Sequence, residues 1–114
     1  MLSSSSVEEA YHMAMVSHLA SIKSSLPFIN FFDGFRTSHE IDKVKEIDLS
    51  KLETLIDKKA LRKFRDNGMI SGATTRGTAE NEDVYFQHTE SRNGYYTKAI
   101  DNVIYYMDKI NKIC

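Results

Sequence analysis

The densest chemistry in this sequence is Arg36, Thr37, Ser38, His39 and Glu40, the tail of the stretch "NFFDGFRTSHE" at residues 30–40. A guanidinium, two hydroxyls, an imidazole and a carboxylate stand in direct succession, and such a set can bind an anion or relay a proton. They follow Phe31, Phe32 and Phe35, which surround an Asp33–Gly34 turn. Ligands of open α/β sheets bind outside the carboxyl ends of the strands, and this tail would lie there. The same residues also suit a plain turn. Ser38 would cap the next helix, Glu40 would favour its N-terminus, and Arg36 would meet a surface carboxylate. Spacing alone leaves both readings open.

Other candidates carry less. His12 and His18 are six apart and do not share a helix face, whereas a helical metal pair needs a spacing of about three or four. His18 reads as a packed histidine. "TTRGTAENED" (74–83) loosely resembles a phosphate cradle but lacks the Gly-Lys-Ser/Thr ending of a P-loop, so an ordered polar loop is the reading. Tyr95, Tyr96, Tyr105 and Tyr106 form two adjacent pairs without a basic surface, which suits core and interface contacts rather than base stacking. Ser3–Ser6 reads as a frayed start. No catalytic set and no metal set can be named, because no complete nucleophile–base arrangement is present.

The elements that must position these residues follow from periodicity. Residues 5–25 predict a helix, capped by Ser5 or Ser6 with Glu8 or Glu9 three residues on. Its apolar stripe is Val7, Ala10, Tyr11, Ala14, His18 and Ile22, widened by Met15, Leu19 and Leu26. Pro27 stops it and opens "PFINFFD", whose near-continuous apolar character predicts a strand covered on both faces, as in a parallel sheet. Residues 38–47 suit a short helix, 48–56 a turn or two of helix capped by Asp48 or Ser50, and 58–68 a helix stopped at Asn67–Gly68. Residues 68–94 show little periodicity and read as a loop, with "DVYFQ" (83–87) a short strand or an apolar plug. Residues 95–113 predict a final helix carrying Tyr96, Ile100, Val103, Ile104, Met107, Ile110 and Ile113.

Composition bounds the rest. The 114 residues suffice for about one domain, and 41% hydrophobic with 27% charged residues is ordinary for a globular protein. A net charge of −1 gives no general attraction to nucleic acid or anionic membrane. No apolar run approaches a bilayer span, and "MLSSSS" does not read as a secretory signal. The single cysteine, Cys114, cannot form an internal disulfide or a cysteine-only cluster, which suits a reducing, intracellular compartment.

One convincing strand is a physical problem, since its backbone groups would be unpaired on both edges. Either strands have escaped notice or the sheet is completed by sequence outside this chain.

Two motifs address that problem. "LPFINFFDGFRTSHEIDKV" (26–44) and "RGTAENEDVYFQHTESRNGYY" (76–96) resemble pyruvate:ferredoxin (flavodoxin) oxidoreductase, whose motifs run "HFFDGFRTSHE" and "RGTAQNPDVYFQ" in the same order. "KALRKFR" (59–65) fits between them. The chain departs in having Asn30 for the motif histidine and Asn81–Glu82 for Asn-Pro. The resemblance implies an α/β fold: a partial parallel-sheet, thiamine-diphosphate-binding-type domain, mostly helical here with one clear buried strand. It implies that residues 1–114 are the C-terminal half of the N-terminal, pyrimidine-side domain, with an exit helix at about 95–113. The full enzyme would oxidatively decarboxylate pyruvate to acetyl-CoA. Thiamine diphosphate and [4Fe-4S] clusters would be its cofactors, neither bound by this chain alone. Its partners would be its own remaining domains, a second copy in a homodimer, coenzyme A, and ferredoxin or flavodoxin. It would be cytoplasmic or lie in a mitochondrion-related organelle. Arg36, Thr37, His39 and Arg76 are the expected contacts near the cofactor cleft or an interdomain seam. The alternative is a non-catalytic helical interaction module derived from the same domain.

Overall fold

The computed structural model describes residues 1–67 and 79–114. In chain order the elements are β1 (Leu2–Ser4), α1 (Val7–Ser24), β2 (Asn30–Phe32), α2 (Arg36–His39), α3 (Leu49–Thr54), α4 (Lys58–Asp66), α5 (Glu82–Ser91) and α6 (Asn93–Ile113). Helices dominate, and β1 pairs with β2 in a two-stranded parallel sheet, the α/β character expected.

Helix α1 starts as its sequence dictates. Ser6 Oγ accepts from the Glu9 N–H at 3.2 Å, and the Glu9 carboxylate accepts from the Ser5 N–H at 2.8 Å. One orphan donor of the first turn, and the N–H just ahead of the cap, are thereby satisfied. The helix ends at Ser25, whose φ of 54° is left-handed and turns the chain toward Pro27.

The buried face of α1 differs from the expected stripe. Val16, Ser17, Leu19, Ala20 and Ser24 are buried, while His18 is exposed and not packed. The reason is that α1 is gripped by α6 as well as by the sheet. The core is Val16, Leu19 and Ala20 against Ile47, Tyr106 and Ile110, with Tyr106 only 1% exposed. Burial pushes the Tyr106 hydroxyl up to about 12.

The strands hold two corrections. Leu2–Ser4 is a strand and not a frayed start, paired in register Leu2 with Asn30, Ser3 with Phe31 and Ser4 with Phe32. The Leu2 N–H also donates to the Ile29 carbonyl at 2.8 Å. The second strand is short and is not buried: Phe31 is 46% and Phe32 44% exposed. Its apolar run fits two-sided cover, but among the described residues only α1 covers it.

Two further segments differ. Residues 38–47 are not a helix capped by Ser38: α2 begins at Arg36 and ends at His39, and 40–48 runs without regular structure until Asp48 caps α3. "DVYFQ" is helical, the first half of α5, because Asn81 with Glu82 and Asp83 makes a helix start rather than a strand. Helices α3, α4 and α6 lie where periodicity placed them, with Asp57 accepting from the Lys59 and Ala60 N–H groups to start α4.

Candidate functional site

The residues singled out by sequence meet at the turn that leaves β2. Asp33 organises it. Its Oδ1 accepts from the Arg36 N–H at 2.6 Å and the Phe35 N–H at 3.1 Å. Its Oδ2 accepts from the Thr37 hydroxyl at 2.9 Å and the Thr37 N–H at 3.2 Å. Four donors on one carboxylate favour its ionised form, so Asp33 lies below the ordinary aspartate range, chiefly through the Thr37 hydroxyl and then the Arg36 N–H. This aspartate, and not Ser38, starts the next helix. An Asp before a Gly at the end of a strand is the sequence signal for such a turn, since its side chain accepts from backbone N–H groups just ahead.

The expected site residues divide. Thr37 is 7% exposed and directs its hydroxyl back to Asp33, so it holds the turn together. Arg36 is exposed and has no ion-pair partner among the described residues. His39 is exposed, stacked on Phe35 with ring centroids 5.9 Å apart, and its Nδ1 lies 2.7 Å from Ser38 Oγ. Ser38 gives its only hydroxyl proton to the Gly34 carbonyl. Arg76 lies outside the described residues. The turn thus presents Arg36, His39 and Glu40 outward and uses the Asp33, Thr37 and Ser38 side chains internally.

Two other clusters complete the inventory. His88 Nδ1 and Glu80 Oε1 are 2.7 Å apart, tying the approach of α5 to its last turn. Cys114 Sγ lies 3.3 Å from His12 Nε2 and donates to the Ile110 carbonyl at 3.0 Å. Burial pushes the Cys114 thiol up, which disfavours the nucleophilic thiolate.

These residues do not make a complete seat for a thiamine-type cofactor. A pyrimidine needs an apolar slot with a hydrogen-bonding acid, and a diphosphate needs a metal ion or converging cations. The apolar groove between the sheet and α6, about 470 Å³, is lined by Leu2, Leu26, Phe28, Tyr96 and Ile100 among others and carries no charged side chain. The cleft at Glu80, Asn81, Glu82 and Asp83 is acidic and would repel phosphate. No three His, Cys, Asp or Glu side chains converge among the described residues. Among those residues, too, no helix is long and apolar enough to cross a membrane.

Comparison with known proteins gives the chain its family. Residues 1–108 match the family model described as pyruvate flavodoxin/ferredoxin oxidoreductase, thiamine diphosphate-binding. A pyruvate-flavodoxin oxidoreductase of Enterobacter agglomerans is 46% identical over 114 residues, 99% of this chain and 10% of the relative. The pyruvate:ferredoxin oxidoreductase of Moorella thermoacetica is 43% identical over 111 residues, 96% of this chain and 10% of the relative. The pyruvate dehydrogenase [NADP(+)] of Cryptosporidium parvum is 41% identical over 113 residues, 98% of this chain and 6% of the relative. The chain therefore spans a tenth or less of the length of these relatives. Matched across nearly all its residues, it belongs to the pyruvate flavodoxin/ferredoxin oxidoreductase family, within the family's thiamine diphosphate-binding domain.

Proposed function

We propose that this chain acts as the C-terminal half of the pyrimidine-side thiamine diphosphate domain of a pyruvate:ferredoxin or pyruvate:flavodoxin oxidoreductase, with α6 leading out of that domain. The match to the family along residues 1–108 carries the reading. The exposed phenylalanines of a two-stranded sheet support it, because such a face asks for further strands or helices. The whole enzyme would decarboxylate pyruvate oxidatively to acetyl-CoA and pass electrons through [4Fe-4S] clusters to ferredoxin or flavodoxin. It would work as a homodimer in the cytoplasm or a mitochondrion-related organelle. The reacting groups would come from its other parts, and this chain would supply scaffold and seam. In that seam Arg36 and His39 are the outward-facing contacts, Thr37 holds the turn that presents them, and Arg76 joins them from the second motif.

A chimera tests this. Residues 1–108 replace the matching segment of the Enterobacter agglomerans enzyme, and pyruvate-dependent reduction of flavodoxin is measured. The expected result is turnover within about tenfold of the parent. A soluble, cofactor-loaded chimera without turnover would overturn it.

One observation favours a second reading, a non-catalytic helical interaction module. Helices α1 and α6 supply most of the buried core residues, Val16, Leu19 and Ala20 from one and Tyr106 and Ile110 from the other. Cooperative melting of the chain alone, together with an inactive chimera, would select that reading.

A further inference from the structure

Two buried side-chain atoms lack any hydrogen-bond partner among the described residues: Ser4 Oγ and Asn30 Oδ1. They sit on adjacent strands. The register places Leu2 opposite Asn30 and Ser4 two positions further along. Side chains two apart share a face, so Ser4 and Asn30 are diagonal neighbours on the same side of the sheet. Strand spacing and rise put their Cα atoms about 8 Å apart. That is too far for a routine direct bond between two short side chains and the right span for one bridging molecule making two bonds of about 2.8 Å.

The face they share is turned toward α1. Asn30 lines a polar cleft of about 510 Å³ with Ala14, Ser17, His18, Ser21 and Phe28. The Ser17 and Ser21 hydroxyls give their protons to the Ala14 and Leu26 carbonyls at 2.8 and 2.7 Å, so neither supplies Asn30 with a donor. Ser4 itself is 8% exposed. A buried acceptor without a donor is destabilising, which a native fold normally avoids by recruiting a partner.

We propose that Ser4 and Asn30 form a binding site for a single buried water, which donates to Asn30 Oδ1 and hydrogen-bonds Ser4 Oγ, joining β1 to β2 through their side chains. The site offers an acceptor at the edge of a polar cleft and a buried hydroxyl beside it on the same sheet face, two partners for a retained water. The bridge adds a fixed link to a sheet of only two short strands.

The sign of a substitution tests it. If Asn30 Oδ1 is truly unpartnered, Asn30→Leu relieves a penalty and the melting temperature stays or rises. If a water holds it, the chain loses the bridge, and Asn30→Leu and Ser4→Ala each lower the melting temperature by about 4 °C. In the double variant the losses overlap, and it melts close to the singles. Additive losses, or a rise in either single, overturn the proposal. Should Asn30→Leu fail to fold, Asn30→Ala with Ser4→Ala gives the same cycle. Water–protein cross-relaxation on the labelled full chain identifies the ligand. Long-lived water signals at the Asn30 side-chain amide and the Ser4 amide are expected, and lost in Ser4→Ala. Coupling without such signals overturns the assignment to water.

Discussion

Helix α1 and the segment that follows it face very different neighbours. Toward its middle and C-terminal half, Val16, Leu19 and Ala20 meet Tyr106 and Ile110 of α6 in a closed core. Beyond its C-terminus the chain runs into β2 and α2, where Phe31 is 46% and Phe35 83% exposed. Both regions are rich in aromatic residues, yet one is sealed and the other open. Burying apolar area is the main favourable contribution to folding, so the α1–α6 pair is self-sufficient while the β2–α2 end has its hydrophobic surface still to bury. The difference separates what this chain does for itself from what it presents to the rest of a larger protein.

The comparison can be broken most forcefully at the core. Tyr106→Ala should destabilise the chain by about 3–5 kcal/mol in urea unfolding, since it empties a buried aromatic site. A loss below about 1 kcal/mol would mean the core is not where stability resides. At the start of α1, Ser6→Ala should cost about 1 kcal/mol by removing the cap on the Glu9 N–H. At the open end, Phe35→Ser should change stability by no more than about 0.5 kcal/mol while reducing binding of an apolar dye. An effect as large as that of Tyr106→Ala would erase the distinction between the two regions.

The pH dependence sharpens the comparison locally. Asp33 has a folded-state value below its unfolded one, held there by the Thr37 hydroxyl first and the Arg36 N–H next. Its contribution is full above the ordinary aspartate range and is lost as pH falls through the depressed folded value. Amide protection factors at Phe35, Arg36 and Thr37 should therefore fall at low pH before those of the α1–α6 core do. Asp33→Asn should show that reduced protection at neutral pH already. Equal protection across pH in both proteins would remove Asp33 from the role of organiser.

Much of this was legible in the sequence, and the failures have physical causes. The Ser6–Glu9 box, the Asp48 and Asp57 caps and the stop at Asn67 are local chemistry, and local chemistry reads directly from residue order. Strand β1 was not legible, because "LSS" has little strand character of its own and exists through pairing with residues nearly thirty positions away. Helix α5 was missed because its apolar residues, Val84, Tyr85 and Phe86, are consecutive and all exposed, so neither period shows. The exposure of β2 illustrates another limit. An apolar run tells what a strand is built to meet, and not whether the meeting partner is in the same chain. At the turn, the residue types drew notice to Arg36, Thr37 and His39, whereas Asp33, which holds Arg36 and Thr37, looked like an ordinary turn former.

The most direct measurement is radical footprinting of the phenylalanines and tyrosines in the chain alone and in the Enterobacter agglomerans chimera. The account predicts that Phe31 and Phe35 are labelled in the isolated chain and protected severalfold in the chimera, while Tyr106 is protected in both. Equal labelling of Phe31 and Phe35 in the two contexts would contradict it, because the open end would then be a free surface and not a face awaiting the rest of its domain.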